Sequence, residues 1–394
     1  MPHDAERLER LDEALKNAGL DALVCSLPEN VLLLTGYFPV VGTSIAVFCR
    51  GCEVTLFAPR DEMDLAEDCY AHEIIPFEPG ALDRITNAVE AVREPVKLAI
   101  AKLRLSGAVV GYECGAAFQP ASYVSMHLYG SAILDLFSAA ELRPASELIA
   151  RLKSVLTAIE LDRLRRACRV AEAAYERGRC CLRAGLKETE AAAEFRAPLT
   201  TVGSGFEGVN RADGSVFCMS GTNSAKAYGA YARSRSREIE VADLVLTHCN
   251  SHADGYWTDI TRTYCMNPVN ERETKMYHAV AEASAAGFDA VRPGVRAPDV
   301  DRAVRDVLTK HGFGAEFKHG TGHGVGFAAI NHNARPRIHP KSDDTLEAGI
   351  VFNIEPGIYV EGFGGMRHCD MVAVTPGGAE LLTPFHSRME DLIR

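Results

Sequence analysis

The sequence predicts an α/β domain over residues 1–150 followed by a larger α+β domain over residues 151–394 that is built from two related halves. Three observations carry this reading. Two segments, Leu244 to Tyr264 and Ile350 to Thr375, share one plan of apolar strand, acidic-Gly-aromatic turn and polar return strand. The turns are Asp254-Gly255-Tyr256 and Glu361-Gly362-Phe363. Helical segments repeat as well: Val170-Ala171-Glu172-Ala173 recurs as Val280-Ala281-Glu282-Ala283, and Arg183-Ala184-Gly185-Leu186 as Arg292-Pro293-Gly294-Val295. The helix repeat is displaced by 110 residues (170 to 280) and the strand repeat by 106 (244 to 350). Chance similarity between Ala-rich helices is common, but helices and hairpins sharing an offset point to duplicated helix-helix-hairpin halves.

The elements follow in order. Residues 5–20 carry Leu8, Leu11, Leu15 and Leu20 on one side of a helix. Asp21 to Leu27 reads as a strand, and Ser44 to Pro59 as a hairpin turning at Arg50-Gly51. A helical stretch near 83–93 precedes strand-like runs at 97–101 and 108–113. No Gly-x-Gly-x-x-Gly or phosphate-loop pattern follows any strand, which argues against nucleotide binding here. Pro144-Ala145-Ser146 interrupts the pattern near the boundary. From Ile159 a long helix begins, with Leu161, Leu164, Cys168, Ala171 and Tyr175 at helical spacing.

Composition narrows the function. A chain of 394 residues exceeds one ordinary core, and 47% hydrophobic with 24% charged residues describes a soluble globular protein. A formal net charge of −11 without any massed Lys or Arg disfavours nucleic acid and anionic membranes as partners. No apolar run approaches the roughly 20 residues that span a bilayer. The chain opens directly into a charged amphipathic helix, so no secretory signal is expected. Twelve cysteines then imply free thiols in a cytoplasmic protein, not a disulfide framework.

The chemistry gathers in the second half. His319-Gly320-Thr321-Gly322-His323-Gly324-Val325-Gly326 places two imidazoles on a backbone freed by four glycines. Asp259, Thr261 and Thr263 share one strand face, and Glu355 ends an apolar strand, where a charge is costly unless paired or metal-bound. Together with His248 and Cys369 these residues form the inventory of imidazole, carboxylate and thiol that a divalent metal site needs.

At these residues the chain resembles the pita-bread metallopeptidase family, which includes methionine aminopeptidase, aminopeptidase P and prolidase, with creatinase as a metal-free relative. The matching segments are TDITRTY (258–264), HGTGHGVG (319–326), LEAGIVFNIEPGIY (346–359) and GGMRHCDMVAVT (364–375), and LDALVCSLPENVLLLTGY (20–37) is similar to the creatinase/prolidase N-terminal domain. The resemblance implies a duplicated pita-bread domain, an amide-cleaving hydrolase acting on a small peptide, and a homodimer. It also implies five metal ligands, of which Asp259, His323 and Glu355 carry over. His248 stands at the first Asp position, Cys369 at the final Glu position, and Tyr228 where a histidine is usual. Imidazole and thiol are softer than the carboxylates they replace, so one zinc held by Asp259, His323, Glu355 and Cys369 is preferred to a manganese pair or an empty site. Glu355 takes the general-base position, and His319 and His332 are the proton-donating or oxyanion-stabilising candidates. Arg367 is either a structural ion pair or a substrate contact. A metal-free creatinase-like hydrolase and a non-catalytic binding module are the other classes left open.

Overall fold

The structure, a computed structural model, describes residues 4–40, 43–80, 82–114, 131–229, 233–329 and 334–394. The chain divides into two compact units, Met1–Lys153 and Ser154–Arg394. The first unit is a six-stranded mixed sheet in the order β4-β3-β2-β1-β5-β6, with β1 Ala22–Cys25, β2 Ile45–Cys49, β3 Glu53–Pro59, β4 Glu73–Phe77, β5 Val109–Tyr112 and β6 Glu141–Pro144. Its first helix, α1 (Ala5–Ala18), starts where the Asp4 carboxylate accepts the Arg7 N–H and stops at Gly19, whose φ of 64° closes the last turn. Further helices are α2 (Pro28–Thr35), α3 (Met63–Ala66), α4 (Ala88–Lys102), α5 (Ser131–Leu136) and α6 (Ser146–Ser154). The strand expected at 97–101 is instead the end of α4. The Asn87–Glu90 capping box starts this helix, and Val92, Val96 and Ala99 turn one face to the core. A short apolar run carries both periods, and here the helical one wins.

In the second unit each half is a helix pair followed by strands. The first half has α7 (Ala158–Cys181), α8 (Glu188–Thr201) and a three-stranded antiparallel sheet of β7 (Ala212–Ser220), β8 (Leu244–Ala253) and β9 (Tyr256–Cys265). The second has α9 (Glu271–Asp289), α10 (Ala297–Lys310), the short pair β10 (Gly322–His323) and β11 (Arg337–Ile338), then β12 (Val351–Ile354), β13 (Gly357–Val360), β14 (Gly364–Arg367), β15 (Asp370–Thr375) and β16 (Gly378–Leu381), before α11 (Met389–Leu392). The duplication holds, with the helix offset corrected to 109. Helices α8 and α10 are both 14 residues long and start at 188 and 297. Gly185 and Gly294, with φ of 85° and 84°, turn the chain at equivalent points. Gly178 lies under the Phe195 ring and Gly287 under Val304, again 109 apart on both sides.

The first hairpin forms as expected, with Asp254 and Gly255 both at positive φ (48° and 85°), the twist that a two-residue β-turn needs. The second is broken. β12 pairs with β15 and β13 with β14, and the ladder lapses at Glu355-Pro356 and His368-Cys369. Pro356 has no N–H to give, so the strand bends there. The lapse releases Cys369 to pair with Thr261 on β9: its N–H donates to the Thr261 carbonyl at 3.0 Å. One bridge thereby joins the hairpins of the two halves.

Candidate active site

Period-two alternation places Asp259, Thr261 and Thr263 on one face of β9, with His248 of β8 directly opposite Thr261. Asp259 is buried and is the hub. Its Oδ2 lies 3.4 Å from His323 Nε2, and its Oδ1 lies 3.5 Å from His248 Nδ1 and 3.9 Å from Cys369 Sγ. The Cys369 thiol donates to the Asp259 carbonyl oxygen at 3.2 Å. His323 reaches this point because a Cβ on Gly322 would meet the Asn353 carbonyl oxygen at 1.7 Å, so only glycine allows the approach of β10 to β12. Asn353 holds the pieces together. Its Oδ1 accepts the His323 backbone N–H at 2.7 Å, and its Nδ2 lies 3.6 Å from Cys369 Sγ.

Arg367 fills the rest of the site. Its Nη2 donates to His248 Nδ1 at 3.0 Å, its Nε donates to Thr261 Oγ1 at 3.1 Å, and Nε stands 3.9 Å from a Glu355 carboxylate oxygen. His248 Nε2 in turn meets Asn250 Oδ1 at 3.1 Å, so both ring nitrogens of His248 are engaged by neighbours. His319 is also committed. Its Nδ1–H donates to the Gly320 carbonyl at 2.7 Å, leaving Nε2 to accept the Tyr359 hydroxyl at 2.8 Å. Arg367 Nη1 donates to that same hydroxyl at 3.4 Å. His319 therefore holds the Tyr359 hydroxyl through Nε2. His332, the other candidate, lies outside the described residues. Tyr228 stands at the half-exposed edge of the site, 5.6 Å from the Tyr359 ring with Lys318 over its face.

Burial and this charge pattern set the protonation states. Burial, aided by Asp259 and opposed by Arg367, raises the Glu355 carboxyl to about 7. Burial works against a charge on His323, but the hydrogen bond and charge of Asp259 outweigh it and raise the imidazole to about 9. Burial, with Arg367 nearby, lowers His319 to about 3 and, against the pull of Asp259, His248 to about 4. Burial and the carboxylates Asp259 and Glu355 push the Cys369 thiol well above its ordinary range. The resting site thus pairs a His323 imidazolium with the Asp259 carboxylate.

Residues 162–376 match the profile described as Metallopeptidase family M24, and residues 7–155 that of the Creatinase/Prolidase N-terminal domain. The chain belongs to metallopeptidase family M24. It is 28% identical to an Xaa-Pro dipeptidase of Pyrococcus furiosus over 96% of this chain and 97% of that one. Among solved structures, a dipeptidase from Pyrococcus horikoshii OT3 superposes with a TM-score of 0.77 at 27% identity, covering 98% and 99% of the two chains. An Xaa-Pro dipeptidase from Bacillus anthracis superposes with a TM-score of 0.78 over 99% of both chains, and at 24% identity it attests the pita-bread fold.

M24 peptidases depend on divalent metal. His248 does not stand free to take a cation, because its Nδ1 faces the Arg367 guanidinium at 3.0 Å. Asp259, His323 and Cys369 bring a carboxylate, an imidazole and a thiol near one point, donor types that suit a borderline-soft ion. Among the described residues no three His, Cys, Asp or Glu side chains converge closely enough to enclose an ion. An ion taking the His323 imidazole and the Cys369 thiol as ligands would draw these side chains together and displace their protons. Sequence reasoning missed Asn353 and Tyr359. A polar residue inside the otherwise apolar run Val351–Ile354, two positions before Glu355, was the available signal for the first. Tyr359 gave none, since aromatics are ordinary in strands.

Proposed function

We propose that this chain is an M24 hydrolase of the Xaa-Pro dipeptidase type, cleaving the C–N bond of a small peptide with one divalent ion, zinc rather than manganese, held by Asp259, His323, Glu355 and Cys369. The observation that carries the reading is the meeting of Asp259 from the first half with His323 and Cys369 from the second, 3.4 and 3.9 Å away. When bound, the ion polarises the scissile carbonyl and lowers the pKa of its water. The chain's own residues do the rest. Glu355 is the carboxylate placed to take the proton of the attacking water and return it to the leaving nitrogen. Arg367, 3.9 Å from Glu355, steadies that carboxylate, and Tyr359 is held in place by His319. Asn353 fixes His323 through its backbone.

The proposed setting is the cytoplasm, supported by twelve free cysteines, and a homodimer, supported by family resemblance. Among the described residues no helix is long and apolar enough to cross a membrane. Elemental analysis of protein purified without chelator tests the central claim and should return about one zinc per chain. Activity on a panel of Xaa-Pro dipeptides should then vanish on chelation and return with zinc. Two manganese per chain, or full activity without metal, overturns the proposal.

A further inference from the structure

A cavity of about 280 Å³ lies between α9 and the sheet, and none of Asp259, His323 or Glu355 lines it. Its walls are largely apolar, formed by Val280, Phe288, Ile354, Met366, Val372 and Leu392. The duplicated halves reveal what shape is missing from it. At the helix offset of 109, Ser284 on α9 is the counterpart of Tyr175 on α7. In the first half Tyr175 fills the space between helix and hairpin. Its ring is 1% exposed and packs on Phe195 and Phe385 with centroids 5.5 and 5.4 Å away. Its hydroxyl sits 3.0 and 2.9 Å from the carbonyl oxygens of Thr247 and Ile260, which accept its proton. Counting to the turns places Thr247 at Ile354, 107 positions on; Thr247 faces Arg262 and Ile354 faces Asp370, so the return strand is displaced by 108 and Ile260 answers to His368. Ile354 and His368 both line the cavity, as does Ser284. The second half thus keeps the strand positions that the Tyr175 hydroxyl faces and lacks the ring.

We propose that this cavity is a binding site for a small aromatic molecule bearing a hydroxyl, a phenol, seated as the Tyr175 side chain is seated in the other half. An apolar cavity of about 150 Å³ holds benzene, so the volume here admits a substituted ring. Thr263, His368 and Asp370 make the sheet side of the cavity its polar wall. The site is separate from the proposed ligand set, and its ligand need not be a peptide.

Calorimetric titration of the full chain with p-cresol tests this. One saturable site per chain is expected, binding about five-fold tighter than toluene because a single hydrogen bond separates the two probes. Ser284→Tyr should fill the slot from within and abolish p-cresol binding. Ala281→Leu, a smaller filling one turn away, should weaken it at least ten-fold and serves as the test should the first variant fail to fold. No saturable binding to the wild type, equal affinity for toluene, or undiminished binding in the folded variants overturns the proposal.

Discussion

Glu355 is asked to hold and release a proton while bordered by Arg367 at 3.9 Å, and a neutral isostere separates those duties. Glu355→Gln keeps an oxygen of the same shape but cannot take the proton. Turnover should fall by about 10²–10⁴-fold with zinc content little changed, read by initial rates and elemental analysis on the same preparation. Near-wild-type rates would make Glu355 structural. His248 and Cys369 invite a gain of function. His248→Asp with Cys369→Glu should recruit a second, harder ion, measured as an added equivalent of manganese by calorimetry, because the pair restores both carboxylates together. Each single change should do less, since the two residues share the Asp259 hub and neighbours are non-additive. Asp259, His323 and Glu355 were legible in sequence because each sits in a motif with its own local logic of glycines or strand ends. The surroundings of Arg367 were not, because Thr261, Tyr359 and His248 lie 106, 8 and 119 positions away and meet it only through the fold.

At the level of elements, alternation and capping were readable and interruptions were not. The hairpin β8–β9 follows its period-two pattern for its full length, whereas its twin parts at Pro356 and sends Cys369 to a strand of the other half. The misplaced strand at 97–101 failed for a different reason: only the contacts of Val92, Val96 and Ala99 decide between two periods in so short a run. The paired glycines under α8 and α10 give a direct test. A methyl added at Gly178 would lie 2.4 Å from the Phe195 ring, and one at Gly287 would lie 2.7 Å from Val304. Gly178→Ala should cost about 1–3 kcal/mol by overpacking, despite alanine's higher helix propensity. Denaturant titration followed by circular dichroism checks it, and an unchanged or stabilised variant would mean that the Phe195 ring moves freely. Gly287→Ala should cost less, since Val304 is the smaller obstacle.

Across the whole molecule, each unit carries its own core, and one buried carboxyl marks the first unit's response to pH. Glu113 accepts hydrogen bonds from the Ser26 and Leu27 N–H groups and from the Asn30 amide, yet burial outweighs them and raises its carboxyl to about 7. Because this pKa stands above the unfolded value of about 4.3, the folded state binds the extra proton in between. The stabilisation is complete below about pH 4.5 and is lost as the pH climbs to about 7. Glu113→Gln cannot titrate, so the stability difference between wild type and variant should drift against the wild type across that window and stay level above it. Urea unfolding at pH 4.5, 5.5, 6.5 and 7.5 measures the drift, and a flat difference would refute the raised carboxyl. The two-unit plan and the doubled second unit were both visible in the sequence, since repeats and composition survive without contacts. The register of the doubling needed the buried glycine pairs to settle at 109.

The bridge from Thr261 to Cys369 has a consequence for the life of the polypeptide in a cell. Asp259 is synthesised 110 residues before Cys369, so a ribosome extrudes half of the reactive cluster long before the other half exists. No nascent chain can attack the peptides around it.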